Sequence, residues 1–314
     1  MSENDWDREV DVLVVGTGNG GLTAAVCNWE MGSKDVLIIE KQDKVGGTSA
    51  MSGGGIWIPN SHYAQEAGAE DSLDDAKRYL INTLFGEDVP EDMIDTYLEK
   101  SPEMLKFLHD RTDVRYESLA EYPDYYTNME GARAGHRSLE PSPIMASELG
   151  DNWKNMTWTH FMMRMFNRIH FTQVEAHLLM VQLPGWKKLL ARLMWDYARD
   201  IPWRFKTPIS RRLACGSAGV ARLYLSVLKR DIPLEFNTQM VELIAEGDTV
   251  LGAVIECNGQ RQRVRAAKGV ILASGGFEKN QTLREQYLPA PTNTTWSAGN
   301  PGNEGDALLA GLEL

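Results

Sequence analysis

The sequence has few cysteines, no paired metal-ligand motif and no apolar run long enough to cross a bilayer. Its three cysteines, Cys27, Cys215 and Cys257, are far apart and odd in number, which favours free buried thiols in a reducing cytoplasm over a disulfide framework. Six histidines form no HExxH motif and no pairing with cysteine, so no metal site is predicted. No apolar stretch approaches the about 20 residues of a transmembrane helix.

Positive charge is also scarce over the chain as a whole. There are 32 Lys and Arg residues against 44 Asp and Glu, which gives a formal net charge of −12. We find no basic cluster of the kind that marks a nucleic-acid surface, so a nucleic-acid partner is not expected. The first residues, MSENDWDREVD, are acidic and polar. They do not resemble a secretory signal, and a cytoplasmic location is expected.

The end of the sequence lacks the residues that usually close a helix. The last ten residues, GDALLAGLEL, have the pattern of a helix that has just begun, without a terminating glycine, a basic last turn or a proline. We therefore expect a chain that stops inside an element. Either the gene product is truncated, or a partner segment is missing.

Glycine is abundant, and its first cluster stands between a predicted strand and a predicted helix. The apolar residues 10–15 lead into Gly16-Thr17-Gly18-Asn19-Gly20-Gly21, and apolar positions at helical spacing follow. A second apolar run, residues 36–39, ends at Glu40. This order of strand, glycine turn, helix, strand and acid predicts a dinucleotide site, with a tight turn that binds nothing as the alternative.

Each piece of this motif has a physical task in holding a dinucleotide. Gly16 permits a tight turn, and Gly18 lets the backbone approach a pyrophosphate at the positive end of the following helix. Gly21 allows that helix to pack closely on the sheet. Glu40 is placed to accept hydrogen bonds from an adenosine ribose and would repel a 2′-phosphate.

The middle of the chain is predicted to be largely helical. Helical patterns cover residues 72–110, where Pro90 and Pro102 fit first-turn positions, and residues 116–143 are predicted to be an ordered loop. An aromatic- and methionine-rich segment follows at 153–206, with helices predicted at about 157–180 and 184–200.

Such a stripe of methionine and aromatic residues usually forms core. The alternatives are an apolar wall or entrance for a large hydrophobic ligand, or a surface for a partner. Contact with a membrane surface is less favoured, because the segment is not strongly basic.

From Gly216 onward the α/β pattern returns. An amphipathic helix is predicted at 219–231, followed by short strands at 234–236, 240–244, 250–256 and 262–266 with hairpin turns between them. The meander leads into a buried strand at 269–277. A meander inserted late in a dinucleotide fold is more frequent in FAD proteins than in NAD dehydrogenases, so a flavin cofactor is predicted.

Together these residues resemble the FAD-dependent fumarate reductase/succinate dehydrogenase flavoprotein superfamily, and within it the 3-ketosteroid Δ1-dehydrogenase branch. The matching segments are VLVVGTGNGGLTAA, IIEKQDKVGGTSAMSGGGIWIPN, YPDYY...GHRSLEP, KGVILASGGFEKN and WSAGNPGNEGD. The resemblance implies an α/β architecture, a Rossmann-like FAD-binding fold with a helical insertion and a β-meander. It implies a FAD-binding domain over 1–277, an aromatic- and Met-rich insertion at about 60–205, and the start of a substrate domain over 278–314.

The resemblance also assigns cofactor contacts position by position. It places the pyrophosphate at Gly16, Gly18, Asn19, Gly20 and Gly21, the ribose at Glu40, and the adenine beside Lys41 and the backbone of Val241. The pyrophosphate and flavin would be lined by Gly47, Thr48 and Ser49. Ser52, Gly53 and Gly54 would lie beneath the isoalloxazine, with Ser52 also counted as substrate-binding. The groove would be closed by Ala273, Ser274 and Gly275 and by a later element containing Asn303, Gly305 and Asp306. Because residues 47–55 hold no histidine, the FAD is expected to be non-covalent.

For catalysis, the resemblance points to Tyr122-Pro123-Asp124-Tyr125. In the family a tyrosine from an FxxY-like segment faces the ring to be desaturated, and Tyr125 matches it while Tyr122 replaces the phenylalanine. Desaturation beside a ketone needs a base for the α-proton, an acceptor for the β-hydride and donors for the developing enolate. Two alternatives stay open: Tyr125 packs the loop, or Tyr126 is the residue that faces inward.

The expected function is 1,2-desaturation of a 3-ketosteroid-like substrate, with hydride transfer to FAD and an electron acceptor as further partner. The family's remaining catalytic tyrosines would lie beyond Leu314, so the active site is expected to be incomplete without a complementing C-terminal polypeptide. One alternative is a fumarate/succinate-type dicarboxylate oxidoreductase, and another is a FAD-binding fragment without activity of its own. The aromatic segment favours a bulky apolar substrate over a dianion.

Overall fold

The computed structural model describes residues 6–314. Its strands are, in chain order, β1 (Arg8–Val15), β2 (Val36–Ile39), β3 (Ile56–Trp57), β4 (Tyr116–Ser118), β5 (Ser138–Pro141), β6 (Ile144–Met145), β7 (Arg164–Met165), β8 (Ile169–His170), β9 (Arg212–Leu213), β10 (Leu234–Glu235), β11 (Thr238–Glu246), β12 (Thr249–Cys257) and β13 (Gln260–Leu272). Its α-helices are α1 (Asn19–Glu30), α2 (Gly47–Met51), α3 (His62–Glu66), α4 (Leu73–Asn82), α5 (Glu91–Arg111), α6 (Gln173–Val181), α7 (Trp186–Arg199), α8 (Ile201–Arg204), α9 (Cys215–Leu228), α10 (Gln281–Tyr287) and α11 (Asp306–Leu312). Short 3₁₀ helices lie at Ala146–Asn155, Phe161–Met163 and Thr294–Trp296.

The chain divides into two compact units. The first comprises the described residues up to Ser52, together with Ala146–His160 and Val220–Leu314, and the second comprises Gly53–Met145 and Phe161–Gly219. Residues 278–314 lie in the first unit. The substrate domain expected to start at residue 278 stays a prediction.

The first unit is built on a six-stranded sheet with the order β10-β2-β1-β13-β12-β11. Strands β10, β2, β1 and β13 are parallel neighbours, and β12 pairs antiparallel with both β13 and β11. All four residues of β2 are buried, as expected for a parallel strand covered on both faces. The predicted α/β fold with an added meander is therefore confirmed.

One part of the meander differs from the prediction. Separate strands were expected at 262–266 and 269–277, but β13 runs without interruption from Gln260 to Leu272. Its first half pairs antiparallel with β12 and its second half pairs parallel with β1. Gly269, at φ +144°, gives the strand the backbone freedom to pass the irregular register opposite Val10 and Val12.

The second unit combines short sheets with helices. Its sheets have the orders β3-β5-β4, β6-β9 and β7-β8, and α4 and α5 share a small apolar core around Ala76, Ile94 and Leu98. The predicted helices over 72–110 are confirmed. Pro102 does not open a helix as predicted but lies inside α5, where its missing N–H removes one hydrogen bond of the helix.

The helix predicted at about 157–180 is wrong over its first half. Residues 164–170 form the β7–β8 hairpin instead, with Phe166 and Asn167 in the left-handed region at φ +53° and +58°. Helix α6 starts only after Thr172, whose side chain accepts the N–H of Glu175 while Glu175 accepts the N–H of Thr172. This reciprocal cap fixes the start of α6 independently of the apolar pattern before it. The second predicted helix is confirmed as α7.

None of the helices within residues 6–314 has the length and apolar character that crossing a membrane requires.

Candidate functional site

The first unit contains a cleft of about 420 Å³ at the ends of its parallel strands. Most of the predicted cofactor residues of this unit line it: Gly16, Gly18, Asn19, Gly20, Glu40, Lys41, Gly47, Thr48, Ser49, Ala273, Ser274, Gly275, Asn303 and Asp306. The carboxyl ends of parallel strands are where α/β sheets bind their ligands. Residues far apart in sequence therefore meet at one place in this unit.

The glycine turn is held by backbone contacts that only glycine tolerates. Gly16 has φ +104°, and a Cβ there would lie 2.5 Å from the carbonyl oxygen of Ala273. A Cβ on Gly21 would lie 2.0 Å from the carbonyl oxygen of Gly16. Gly21 therefore packs α1 against the turn and does not line the cleft, in keeping with the packing role expected of it.

Glu40 is fixed by a buried threonine that sequence reasoning did not single out. The backbone N–H of Thr17 donates to Glu40 Oε2 at 3.2 Å, and its hydroxyl donates to the same oxygen. Gln42 N–H donates to Glu40 Oε1 at 3.0 Å, and Gly46 N–H donates to Thr17 Oγ1 at 3.1 Å. Burial raises the pKa of Glu40, and the hydrogen bonds from Thr17 and Gln42 oppose that rise.

The amino-terminal end of α1 lines the cleft, and its N-cap residue supplies no side-chain hydrogen bond. Gly18 occupies the N-cap position, and the N–H of Asn19 donates to Ser49 Oγ at 3.1 Å. Asn19 Oδ1 is buried and has no hydrogen-bond partner among the described residues. The end of a twelve-residue helix carries partial positive charge, which suits a phosphate group. The orphaned oxygen calls for a donor from a ligand.

Two acidic side chains pair with Lys41, and one of them, Asp306, lines the cleft. Lys41 Nζ lies 2.7 Å from Asp306 and 3.1 Å from Glu304. Burial lowers the pKa of Lys41, but its hydrogen bonds to these two carboxylates outweigh burial and raise it overall. Lys41 therefore stays charged.

Two residues missed by sequence reasoning, Asn300 and Glu278, complete a small network around Thr48. The hydroxyl of Thr48 accepts the N–H of Asn300 at 2.9 Å and the side-chain amide of Asn303 at 3.0 Å. The same amide donates to Glu278 Oε1 at 2.7 Å. Both residues lie within segments that carry the family resemblance, KGVILASGGFEKN and WSAGNPGNEGD, and this is the sequence signal that could have found them.

Three further predicted residues of the first unit lie outside the cleft lining. Ser52 ends α2, and its hydroxyl donates to the carbonyl of Ser49 at 2.8 Å. Val241 lies at an irregularity of β11, and its neighbour Met240 lines the cleft instead. Gly305 caps α11 at φ +89°. Their roles stay predictions.

The other predicted residues belong to the second unit. A cavity of about 240 Å³ is lined there by Tyr122 and Tyr125, among others, and by Gln173, whose side chain donates to the carbonyl of Gly53 at 3.3 Å. A Cβ on Gly54 would lie 2.7 Å from the backbone of Cys215 and Gly216. Gly54 is thus a point of close backbone approach.

The rings of Tyr122 and Tyr125 are neighbours, whereas the ring of Tyr126 packs against Phe85. Tyr125 is 82% exposed, and its ring centroid lies 6.4 Å from that of Tyr122. The pKa of Tyr122 is raised by a hydrogen bond with Tyr125 and by partial burial. Tyr126 packs its ring edge against Phe85 at 5.0 Å and is absent from the described cavity lining.

A buried arginine fixes the loop that carries these tyrosines. Arg137 is 1% exposed and donates two hydrogen bonds to Asp71, at 3.0 and 2.8 Å, and one to Asp124 at 2.9 Å. Trp57 Nε1 donates to the other oxygen of Asp124 at 2.7 Å. Asp124 also accepts the backbone N–H of Arg133. Because Asp124 stands directly before Tyr125, this network positions the tyrosine segment.

The first-unit cleft fits a dinucleotide on its own geometry. Its volume lies in the range of ligand pockets, roughly 300–1,000 Å³, and its glycine turn leaves no Cβ where a pyrophosphate would approach. The amino-terminal end of α1 can contact a ligand, and so can Asn19 Oδ1, which has no hydrogen-bond partner among the described residues.

Comparison with known proteins agrees with this geometry. The family described as FAD binding domain matches residues 11–314. The chain belongs to this family. FAD is therefore the cofactor of this fold, as the sequence predicted.

The relatives extend the likeness to steroid enzymes. The 3-oxosteroid 1-dehydrogenase of Comamonas testosteroni is 36% identical over 314 residues, which cover 97% of this chain and 53% of that protein. A crystal structure of 3-ketosteroid Δ1-dehydrogenase from Sterolibacterium denitrificans, in complex with 1,4-androstadiene-3,17-dione, has a TM-score of 0.92 at 39% identity and covers 98% of this chain and 55% of that one. The predicted resemblance to this branch is confirmed.

A more distant neighbour shares the fold alone. The open conformation of a flavocytochrome c3 fumarate reductase has a TM-score of 0.64 at 19% identity, covering 98% of this chain and 40% of that one. The chain spans about half the length of the curated relatives it matches.

Proposed function

We propose that the chain serves a FAD-dependent dehydrogenase that introduces the 1,2 double bond of a 3-ketosteroid-like substrate. The observation that carries the proposal is the likeness, over 98% of the chain, to a 3-ketosteroid Δ1-dehydrogenase that binds androstadienedione. The cavity lined by Tyr122 and Tyr125 supports it, because its walls combine aromatic surface with phenol groups. Apolar walls with a few polar groups suit a steroid that carries a ketone.

In this proposal the residues of the first-unit cleft hold FAD non-covalently. The turn from Gly16 to Gly21 and the end of α1 receive the pyrophosphate, and the unoccupied lone pairs of Glu40 accept the ribose hydroxyls. Lys41 and the β11 backbone lie at the adenine, and Ser49 and the 273–275 segment border the flavin end. Lys41 is the one cationic side chain among the described residues that line the cleft. Backbone N–H groups therefore carry the recognition of phosphate.

The second-unit tyrosines act on the substrate. When bound, FAD supplies the acceptor for the hydride that leaves the carbon β to the ketone. Tyr125, which is 82% exposed and has its ring centroid 6.4 Å from that of Tyr122, holds a phenolic oxygen at the substrate ring, where its phenolate form takes up the proton lost from the α-carbon. Asp124 and Arg137 keep that phenol in place. The proposal also includes an electron acceptor as a further partner, a domain boundary near residue 277 and a C-terminal polypeptide that completes the active site.

Anaerobic mixing of substrate with the FAD-loaded chain, supplied with the completing C-terminal polypeptide that the proposal includes, tests the proposal without any electron acceptor. A saturated 3-ketosteroid is expected to bleach the yellow flavin absorbance and to yield a product that lacks two hydrogens by mass spectrometry. Tyr125→Phe is expected to slow bleaching strongly, whereas Tyr126→Phe is the matched control and should bleach at the original rate. Bleaching by succinate in place of the steroid, or by neither, would overturn the proposed activity.

The mode of cofactor attachment needs a separate measurement. Acid precipitation of the yellow protein is expected to leave all flavin in the supernatant, because residues 47–55 offer no histidine for covalent linkage. Flavin retained in the washed pellet would contradict non-covalent binding.

A further inference from the structure

The first unit holds a carboxylate beside the cofactor cleft that the proposed chemistry does not use. Glu278 is half-buried and follows Gly275, a cleft residue, by three positions. Its side chain makes hydrogen bonds but no ion pair with the residues that the structure describes. The ammonium group of the neighbouring Lys279 donates to the carbonyl of Ser297 at 2.6 Å instead. Glu278 therefore acts in this unit as a hydrogen-bond acceptor.

The residues after Glu278 are attached to the loop that contains Asn303. The backbone N–H of Lys279 donates to the carbonyl of Asn303 at 2.9 Å. The side-chain amide of Asn280 donates to the carbonyl of Glu304 at 3.0 Å. These contacts fix the distance between the two segments independently of the carboxylate.

Both amide hydrogens of Asn303 are already engaged. Asn303 Nδ2 donates to Glu278 Oε1 at 2.7 Å and to Thr48 Oγ1 at 3.0 Å. The two ends of an amide are told apart by their partners. Because an ionised carboxylate can only accept, the nitrogen must face Glu278. The other end, Asn303 Oδ1, accepts no hydrogen bond from the described residues.

The hydroxyl of Thr48 is left with one hydrogen to donate. A hydroxyl accepts two hydrogen bonds and donates one. Thr48 Oγ1 accepts from the N–H of Asn300 at 2.9 Å and from the Asn303 amide at 3.0 Å. Its own hydrogen has Glu278 Oε1 as acceptor at 3.5 Å, which is the outer limit of a hydrogen bond. A closer acceptor in the cleft is therefore favoured.

Thr48 and Asn303 bring this donor and this acceptor to the lining of the cleft. The Asn303 amide lies against Gly275, where a Cβ would be 3.0 Å from both of its polar atoms. In the proposed function, the segment 273–275 borders the flavin end of FAD. The part of FAD before the flavin ring is a ribityl chain, and each of its hydroxyls can donate and accept. Such a hydroxyl matches the free hydrogen of Thr48 and the free oxygen of Asn303.

We propose that Glu278 is a positioning residue for the flavin half of FAD. By holding the amide nitrogen of Asn303, it turns Asn303 Oδ1 and the Thr48 hydroxyl toward the ribityl chain. Glu278 is not among the described residues that line the cleft, so it acts through Asn303. Without the carboxylate, the amide can rotate and present nitrogen where oxygen is needed. This inference rests on the proposed function, which places the flavin half beside Gly275.

A purely structural role for Glu278 makes a different prediction. The loop that contains Asn303 continues to Glu304 and Asp306, which pair with Lys41 at 3.1 and 2.7 Å. In the proposed function Lys41 lies at the adenine. If Glu278 only held the loop in place, its loss would disturb both ends of the cleft. A positioning role confines the loss to the flavin half.

Isothermal titration with FAD and with ADP separates the two roles, because ADP has the adenosine half and lacks the ribityl chain. Glu278→Ala is expected to weaken FAD binding about tenfold, as loss of one to two hydrogen bonds does. ADP affinity should stay within about twofold of the unaltered chain. Glu278→Gln keeps a carbonyl acceptor at the same place and should restore most of the FAD affinity.

An exposed glutamate of the same unit provides the matched control. Glu285 accepts a hydrogen bond from Gln281 at 2.7 Å within α10 and is exposed. Glu285→Ala should bind FAD and ADP as the unaltered chain does.

A double-mutant cycle tests whether Glu278 acts through Asn303. Asn303→Ala is expected to weaken FAD binding at least about tenfold. In that background Glu278→Ala should cause little further loss, because residues of one network are not additive.

Three results would overturn the inference: unchanged FAD affinity in Glu278→Ala, equal losses for FAD and ADP, or additive losses in the double variant. An unaltered chain that binds no FAD would overturn both this inference and the proposed function. A chain that binds FAD but is not bleached by steroid would overturn the proposed activity alone. The two failures are therefore distinguishable.

Discussion

The cofactor cleft of the first unit and the tyrosine cavity of the second unit are positioned by different kinds of contact. The cleft is shaped mainly by backbone: a positive φ at Gly16, the absence of a Cβ at Gly21 and the open end of α1. The tyrosine cavity depends on charged side chains that are buried, with Arg137 between Asp71 and Asp124. At the backbone cradle, by which we mean the turn from Gly16 to Gly21, a side-chain atom added at either end would clash with backbone. In the buried ion network, removal of one charged group would leave its partners buried without a counter-charge.

The largest effect should come from removing the centre of that ion network. Arg137→Leu leaves the carboxylates of Asp71 and Asp124 buried without their partner, which is expected to lower the free energy of unfolding by about 3–5 kcal/mol. Urea denaturation measures the loss. Arg78→Leu is the control, because Arg78 forms exposed ion pairs in the same unit and should cost no more than about 1 kcal/mol. Equal losses in both variants would remove the distinction between the two regions.

A single added methyl group tests the backbone cradle. Gly21→Ala places a Cβ 2.0 Å from the carbonyl oxygen of Gly16, so the turn must shift, at an expected cost of about 1–3 kcal/mol. Gly20→Ala is the control within the same helix, since the nearest atom to its Cβ would be 4.0 Å away. Thermal melting of both variants decides the matter. A Gly21→Ala protein as stable as Gly20→Ala would show that the packing of α1 on the turn is not tight.

The carboxylate of Glu40 is the proposed acceptor for the ribose hydroxyls of FAD. Glu40→Ala is expected to weaken FAD binding by about 1–3 kcal/mol, as loss of a buried acceptor does, and isothermal titration measures it. Glu256→Ala, which removes an exposed ion pair with Arg261, should bind FAD with unchanged affinity. Unaltered affinity in Glu40→Ala would refute the ribose contact.

The same residue gives the cleft a pH dependence. Burial raises the pKa of Glu40, so it takes up a proton at a higher pH than an ordinary glutamate. A protonated Glu40 accepts the ribose hydroxyls less well, and FAD affinity is expected to fall as pH is lowered through this raised pKa. The stability of the FAD-free fold follows the opposite sign: the share contributed by protonated Glu40 is lost as pH rises through the same pKa. Glu40→Gln should flatten both profiles, and a profile that persists would assign them to another group.

The smallest effect on stability is expected at the residue proposed to matter most for chemistry. Tyr125 is largely exposed, so Tyr125→Phe should change the free energy of unfolding by no more than about 0.5 kcal/mol. Urea denaturation beside the flavin-bleaching assay separates the two roles. A large loss of stability would place Tyr125 in the packing of its loop, the alternative weighed from the sequence.

Prediction from sequence succeeded where a pattern is local and failed where distant residues decide. The strands leading to Gly16 and Glu40 were found because apolar runs and glycine turns lie within one βαβ unit. The helix expected across residues 164–170 was wrong, because the apolar pattern there is shared by a hairpin, and the cap of Thr172 and Glu175 decides where α6 begins. Continuous β13 was missed because its two halves pair with different strands.

The sequence by itself determined the nucleotide-binding turn and the acid at the end of the second strand, because each rests on short-range geometry that glycine and glutamate impose. It also determined the choice of FAD, because the inserted meander and the family resemblance can be read from the order of the residues. Only the tertiary structure decided how Thr17 engages Glu40, how Arg137 holds Asp71 and Asp124, and which apolar side chains of residues 161–212 stay exposed. Burial and ion pairing depend on neighbours contributed from far along the chain. The type of a residue limits the contacts that it can make, and the fold determines which neighbours it contacts.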